Sequence, residues 1–201
     1  MKIHQNINIR LAMESDAEKI WEIYKPYVLH TSASFETEIP ALPAFQSRME
    51  NIVQYLPWLV CAVDNQIVGY AYATDHRSRQ AYQWTKELSV YVHDHFKRKR
   101  IATALYTTLI ELLKIQGVTN CLAGISLPNE ASIRLHEKLG FKKVGIFHQI
   151  GYKLGTFQDV GWWELFIGDI NISPSGIIPV KSIESTKEFD SAVRMGLKYL
   201  N

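Results

Sequence analysis

The chain has 201 residues, 47% of them hydrophobic and 21% charged, which is enough to bury one substantial core in a single domain. A formal net charge of only +2 excludes a surface built throughout to neutralise nucleic-acid phosphates, so any anionic partner must be met locally. Cys61 and Cys121 lie in apolar runs without ligand spacing and read as buried, reduced thiols. The opening MKIHQNINIR lacks the apolar centre of a signal peptide, and no apolar run approaches the roughly 20 residues that span a bilayer. A cytoplasmic location without membrane contact is expected.

In chain order, residues 6–12 alternate like a half-buried strand. Ser15 with Glu18 then predicts a capping box opening a helix with Ile20, Ile23, Tyr24 and Tyr27 on its apolar side, and Pro26 predicts its end or a kink. After the loop ASFETEIP, a second helix is expected over about 41–54, followed by a hairpin of WLVCAVD and QIVGYAYATD turning at Asn65. WTKELSVYVHD (84–94) reads as a strand and FKRKR as a basic loop. The spacing of Ile101, Ala104, Leu105, Leu109, Leu112 and Leu113 then predicts a helix stopped by Gly117. A strand over 119–127 precedes a short helix over 130–139, capped by Asn129 and ended by Gly140. Strands over 142–153 and 158–167 complete a mixed α/β sheet. In the tail, Ser185 with Glu188 predicts a second capping box and an amphipathic helix bearing Phe189, Ala192, Val193, Leu197 and Leu200, whose apolar face needs a cover.

Read together, ASFETEIP, RSRQAYQWTKELSVYV, GISLPNEASIRLHEKLGF and GYKLGTFQDVGWW resemble, in order and spacing, the phosphinothricin acetyltransferase family within the GNAT superfamily of N-acetyltransferases, over roughly residues 7 to 167. The resemblance implies a GNAT acyl-CoA N-acyltransferase fold, acetyl-CoA as co-substrate, a small amino-acid-like amine of the phosphinothricin or methionine-sulfoximine type as acceptor, and a homodimer. On that basis residues 1–168 are expected to form the acetyltransferase domain, 169–184 a linker and 185–201 a C-terminal amphipathic helix.

The chemistry gives the resemblance its content. An amine is mostly protonated near neutral pH, so attack on a thioester requires a group that removes a proton. By resemblance Glu87 is that general base. The coenzyme's pantetheine arm would lie along the strand at Val90, Tyr91 and Val92, where main-chain N–H groups of Val90 and Val92 bind its amides. Its pyrophosphate would lie on Lys97, Arg98, Lys99, Arg100, Ile101, Ala102 and Thr103, at a helix N-terminus that favours anions. The superfamily pattern has Gly where this chain has Arg100. A positive φ there would cost on the order of 1 kcal/mol. Asn129 would cap the next helix and bond the pantetheine arm, and His136 would protonate the departing thiolate or bond the coenzyme. For the acceptor, Arg77 and Arg79 offer bidentate guanidinium groups ahead of Tyr82, and Phe35 with Glu36 form an opposite wall. His93 and His95 form an H-x-H pair without a third ligand at a sensible spacing, so no metal is expected. Two other functions stay open: acetylation of another amine (a protein N-terminus, a polyamine, an aminoglycoside), or a non-catalytic acyl-CoA sensor or interaction module.

Overall fold

The computed structural model describes residues 6–169 and 172–200. The residues 1–5 that argued against a signal peptide, residues 170 and 171 of the expected linker, and Asn201 of the expected tail helix lie outside the described residues. Seven strands form one sheet in the order β1-β2-β3-β4-β5-β7-β6: β1 (Ile7–Leu11), β2 (Trp58–Val63), β3 (Gln66–Asp75), β4 (Thr85–Val92), β5 (Asn120–Leu127), β6 (Lys142–Lys153) and β7 (Thr156–Phe166). All neighbours are antiparallel except β4 and β5. Asp64 and Asn65, both at positive φ, make the tight β2–β3 turn that hairpin twist favours.

Helices α1 (Ala17–His30) and α2 (Leu42–Val53) cover one face. Their Ile20, Ile23, Tyr24, Val28, Phe45 and Met49 bury against Trp58, Val60, Tyr70 and Tyr91 of the sheet. Helix α3 (Ile101–Gln116) covers the other face with Ala104, Leu105, Leu109, Leu112 and Leu113. Gly117, in the left-handed region, ends it with its N–H on the carbonyls of Leu113 and Lys114. The short α4 (Glu130–Lys138) starts at Asn129, whose side chain accepts from the Ser132 N–H.

Two local expectations are corrected and a third is narrowed. Ser15 does not cap α1: it lies in a 3-10 turn over Glu14–Asp16, and Asp16 holds the N-cap position without a side-chain bond to the helix, its carboxylate accepting instead from the Met13 N–H at 2.8 Å and from Arg10 at 2.6 and 2.9 Å. A carboxylate with a guanidinium in reach takes the charge-assisted bonds in preference to a helix N–H. Of the two outcomes expected at Pro26, an end or a kink, the end does not occur, since α1 runs on to His30. Proline removes the hydrogen bond to the Glu22 carbonyl, but the burial of Ile23, Tyr24 and Val28 around it holds the helix together. In the tail, Thr186 rather than Ser185 is the cap, accepting from the Phe189 N–H at 3.2 Å and donating to the Ile183 carbonyl at 2.7 Å.

The segment after β7 is anchored to the domain. The Trp84 indole donates to the Ser175 carbonyl at 2.7 Å, and Gln116 Nε2 donates to the carbonyls of Tyr55 and Ile178 at 2.7 and 2.6 Å. One turn of helix, α5 (Val180–Ile183), leads to α6 (Lys187–Leu197), which lies along α3 and against β1, its Phe189 and Ala192 joining the core. Gly196 makes that approach possible, because a Cβ there would fall 2.1 Å from Thr108 Oγ1 and 2.5 Å from the Ala104 carbonyl oxygen. Val144, Phe147, Ile150, Tyr152, Leu154 and Phe157 of the β6–β7 hairpin are exposed in the single chain. No described helix is long and apolar enough to cross a membrane.

Candidate active site

The site begins where the sheet comes apart. β4 and β5 pair only over Thr85–Glu87 against Asn120–Leu122. β4 then continues along β3 to Val92 and β5 along β7 to Leu127, so their facing edges separate. A cleft of about 610 Å³ fills the gap and extends to the N-termini of α3 and α4. Its size is that of a small-molecule site.

Backbone alternation decides which β4 groups face the gap. The Tyr27 hydroxyl donates to the Val92 carbonyl at 2.7 Å and accepts from the Val92 N–H at 3.3 Å, whereas the His93 N–H bonds Val68 of β3. Leu88, Val90 and Val92 therefore turn their main-chain groups to the cleft side. Those of Val92 are engaged by Tyr27, which leaves Leu88 and, of the two residues expected from the sequence, Val90 as main-chain candidates for an incoming amide. Tyr27 carried no sequence signal for this role, since its helical spacing marked it only as core.

At the outer end of the cleft, the first turn of α3 presents the N–H groups of Ile101, Ala102 and Thr103. The first bond closing the helix is Ala104 N–H to the Arg100 carbonyl, at 2.9 Å. Unpaired N–H groups and the positive end of a 16-residue helix favour an anion. Arg100 sits at the N-cap with φ 62° and ψ 9°, and Arg98 also has a positive φ of 61°. The loop thus takes the glycine-like backbone without glycine, and pays the strain the sequence raised as one alternative. Lys97, Arg98 and Arg100 line the cleft, although Lys97 is already paired with Asp94 at 2.5 Å and lies over the Tyr27 ring. Lys99 departs from expectation: it is not among the lining residues, and its ammonium lies over the Phe96 ring at 4.6 Å.

His136 and Ser126 bring polar atoms into the cleft wall. His136 is 3% exposed, edge-on to Tyr106 and Phe141, and its Nδ1–H donates to the Ser132 carbonyl at 2.8 Å. Burial lowers its pKa below the ordinary value against the opposing effect of that bond. With Nδ1 carrying the proton, Nε2 holds a lone pair, and it is buried without a partner, as is Ser126 Oγ. Of the two roles expected of His136, a neutral ring held this way is set to accept a hydrogen bond at Nε2, and it would need a second proton before it could donate there. Together with Val90, Asn129 and the α3 N-terminus, these groups fit a long amide-bearing chain that ends in an anion.

Glu87 lies outside the cleft lining, at the last β4–β5 pair, on the same face of β4 as Ser89 and Tyr91, which do line it. Its Oε1 is 2.6 Å from His76 Nδ1. Nearby, Tyr72 bonds Ser89; burial raises its pKa, and Arg48, Glu36 and Glu87 act on it electrostatically. Glu36 is paired with Arg48 at 2.6 Å. Phe35 is 43% exposed and lies where a Cβ on Gly151 would be 2.2 Å from its ring. Lys153 Nζ donates to the Ser34 carbonyl at 2.6 Å, tying the α1–α2 loop to the β6–β7 hairpin; burial lowers its pKa, opposed by Glu36. Arg77, over the Tyr82 ring at 5.6 Å, and Arg79, at the start of the 3-10 turn Gln80–Tyr82, are exposed on the β3–β4 connection. The five acceptor candidates therefore occupy two connections, α1–α2 and β3–β4, and none of them lines the cleft. His93 and His95 lie about a 3-10 turn, the His95 N–H donating to His93 Nδ1. Among the described residues no group of three or more His, Cys, Asp or Glu could hold a metal ion.

The model of the acetyltransferase (GNAT) domain matches residues 9–162. The phosphinothricin N-acetyltransferase of Streptomyces viridochromogenes is 34% identical over 177 residues, covering 88% of this chain and 96% of that protein. The L-methionine sulfoximine/L-methionine sulfone acetyltransferase of Salmonella typhimurium is 34% identical, covering 79% of this chain and 94% of its own length. Among solved structures, a GNAT superfamily phosphinothricin acetyltransferase from Sinorhizobium meliloti in complex with acetyl-CoA superposes with a TM-score of 0.82 at 29% identity, covering 87% of this chain and 96% of that one.

Proposed function

From the premise that the chain belongs to the GNAT acetyltransferase family and is an acetyl-CoA-dependent N-acetyltransferase of small amines, we propose that its acceptor is amino-acid-like and that Glu87 is its general base. The observation that carries this reading is the parting of β4 from β5 directly after Glu87. Glu87 is the last paired residue before the gap, and the next β4 residues, Leu88 to Val92, line the cleft, which supports a base acting beside the coenzyme.

Acetyl-CoA supplies an acyl group activated as a thioester. Val90 offers main-chain groups to its amides, Asn129 and the orphaned Ser126 Oγ and His136 Nε2 offer further polar contacts, and the α3 N-terminus with Arg98 and Arg100 takes the phosphates. Glu87 accepts a proton from the acceptor ammonium, directly or through water, and so frees the nitrogen lone pair. His136 accepts a hydrogen bond at Nε2 rather than giving a proton. Arg77 and Arg79 hold the acceptor carboxylate, while Phe35, Glu36 and Tyr82 shape the opposite walls. The names of the relatives, which act on phosphinothricin and on methionine sulfoximine, support an acceptor of this class. Transfer is direct, within a ternary complex, because Cys61 and Cys121 are buried and burial pushes both thiols up to about 12.

The exposed apolar side chains of the β6–β7 hairpin support a homodimer formed through that hairpin, and the two free, buried cysteines support a reducing, cytoplasmic setting. The deciding experiment is thiol release from acetyl-CoA over a panel of amines that includes phosphinothricin, methionine sulfoximine, a polyamine, an aminoglycoside and an N-terminal peptide. Glu87→Gln is expected to lower kcat by about 100-fold or more with coenzyme affinity retained. An unchanged rate in the variant removes Glu87 as base. Binding of the coenzyme without turnover of any amine removes the catalytic reading.

A further inference from the structure

We propose that His76 is the positioning residue of the base: its Nδ1–H binds Oε1 of Glu87, fixes the carboxylate plane and leaves Oε2 as the oxygen that takes the proton from the acceptor ammonium. This rests on the reading of Glu87 as base.

Residue 76 is the first position beyond β3, and the β3–β4 register sets Thr74 opposite Glu87. From there the imidazole reaches back to the carboxylate, and the 2.6 Å separation is that of a short, charge-assisted bond. The ring is fixed on two further sides. Tyr82 meets it edge-on at 5.7 Å and 75°, and Trp162 at 6.0 Å and 77°. Tyr82 comes from the β3–β4 connection and Trp162 from β7, so three parts of the fold converge on one imidazole. The other charged groups beside this pair are engaged elsewhere: Asp75 with Lys86, and Arg77 over the outer side of Tyr82.

The physical consequence concerns the last torsion of a glutamate, which is broad and roughly two-fold when unconstrained. A carboxylate free to spin presents either oxygen in many directions, and an ammonium bound across both oxygens is held rather than deprotonated along one line. Committing Oε1 to a ring packed against Tyr82 and Trp162 leaves Oε2 as the acceptor, with one preferred direction. The pair is 18% and 32% exposed at its side chains, so the acceptor's proton has a route onward to water. Such preorganisation acts on turnover rather than on coenzyme binding.

Two variants separate this role from packing. His76→Phe keeps a ring between Tyr82 and Trp162 and removes the donor. His76→Asn loses the ring but keeps an N–H near the Nδ1 position. Steady-state kinetics would use acetyl-CoA and the amine that wild type turns over fastest in the panel above. The expected result is a kcat about tenfold lower for His76→Phe with an unchanged KM for acetyl-CoA, and substantial recovery in His76→Asn. The reverse order, Phe near wild type and Asn impaired, overturns the proposal and makes His76 a packing residue. In a Glu87→Gln background, His76→Phe is expected to add nothing, and a further tenfold loss there overturns coupling through Glu87. A slow Glu87→Gln with a full-rate His76→Phe sinks this inference alone, whereas a full-rate Glu87→Gln sinks the general-base reading itself.

Discussion

Replacing Arg100 separates two contributions that coincide at one residue, a strained backbone and a cationic side chain. Its φ of 62° lies in the left-handed region, where a residue with a Cβ pays roughly 1–2 kcal/mol relative to the right-handed helix. Glycine avoids most of that cost but gives up about 0.5–1 kcal/mol more chain entropy on folding. Arg100→Gly and Arg100→Ala both delete an exposed guanidinium, so the difference between them isolates the backbone. Glycine is expected to be the more stable by about 0.5–1 kcal/mol, which for a chain of this length is a Tm difference of about 2 °C. Thermal unfolding of the two variants without ligand measures it. Titration with acetyl-CoA then reads the charge: both variants are expected to bind more weakly than wild type, with the glycine variant the tighter of the two. Equal Tm values for glycine and alanine would refute the claim that the loop stores strain at this position. Unchanged coenzyme affinity in both would refute a phosphate role for the guanidinium.

Two further outcomes are expected. Gly196→Ala drives a methyl against Thr108 Oγ1 and the backbone oxygen of Ala104, which no side-chain rotation relieves, and should cost about 1–3 kcal/mol. Hydrogen exchange should show the loss concentrated in α6 and the facing side of α3, and a uniform loss across the sheet would contradict the contact. For His136 the folded pKa lies below the ordinary 6.5, so the unfolded chain binds more protons in that window. The stability it contributes is present above about 6.5 and is lost as pH falls through the folded value. Denaturant melts of wild type and His136→Gln from pH 7.5 to 5 should show a shallower decline in the variant, and parallel declines would show that the ring is not held neutral.

The strands and helices were legible because their burial is periodic: β2 and β3 alternate or run apolar around a turn whose residues tolerate positive φ, and α3 repeats leucines at helical spacing. Helix boundaries were less so. Ser15 and Ser185 fit a capping pattern, but Thr186 caps the tail helix, and at α1 the Asp16 carboxylate turns back to Met13 and Arg10 instead of bonding the helix. In the site, Val90 to Val92, Lys97, Arg98, Arg100 to Thr103, Asn129 and His136 line the cleft and came from short local motifs, whereas Lys99 does not line it. His76, Arg48, Tyr27 and Lys153 were not legible. Each matters through a partner far away in sequence, from 11 residues for His76–Glu87 to 119 for Lys153–Ser34. No local pattern encodes a register between strands or the distance between two loops.

Unpaired strand edges are ordinarily an invitation to foreign chains and hence to aggregation. Here the two parted edges lie within the sheet and look at one another across a gap, with Tyr27 closing the far end of one of them. Only something slender, threaded lengthwise and carrying its own amides, can satisfy both sides at once, and discrimination against bulky visitors is thereby built into the break itself.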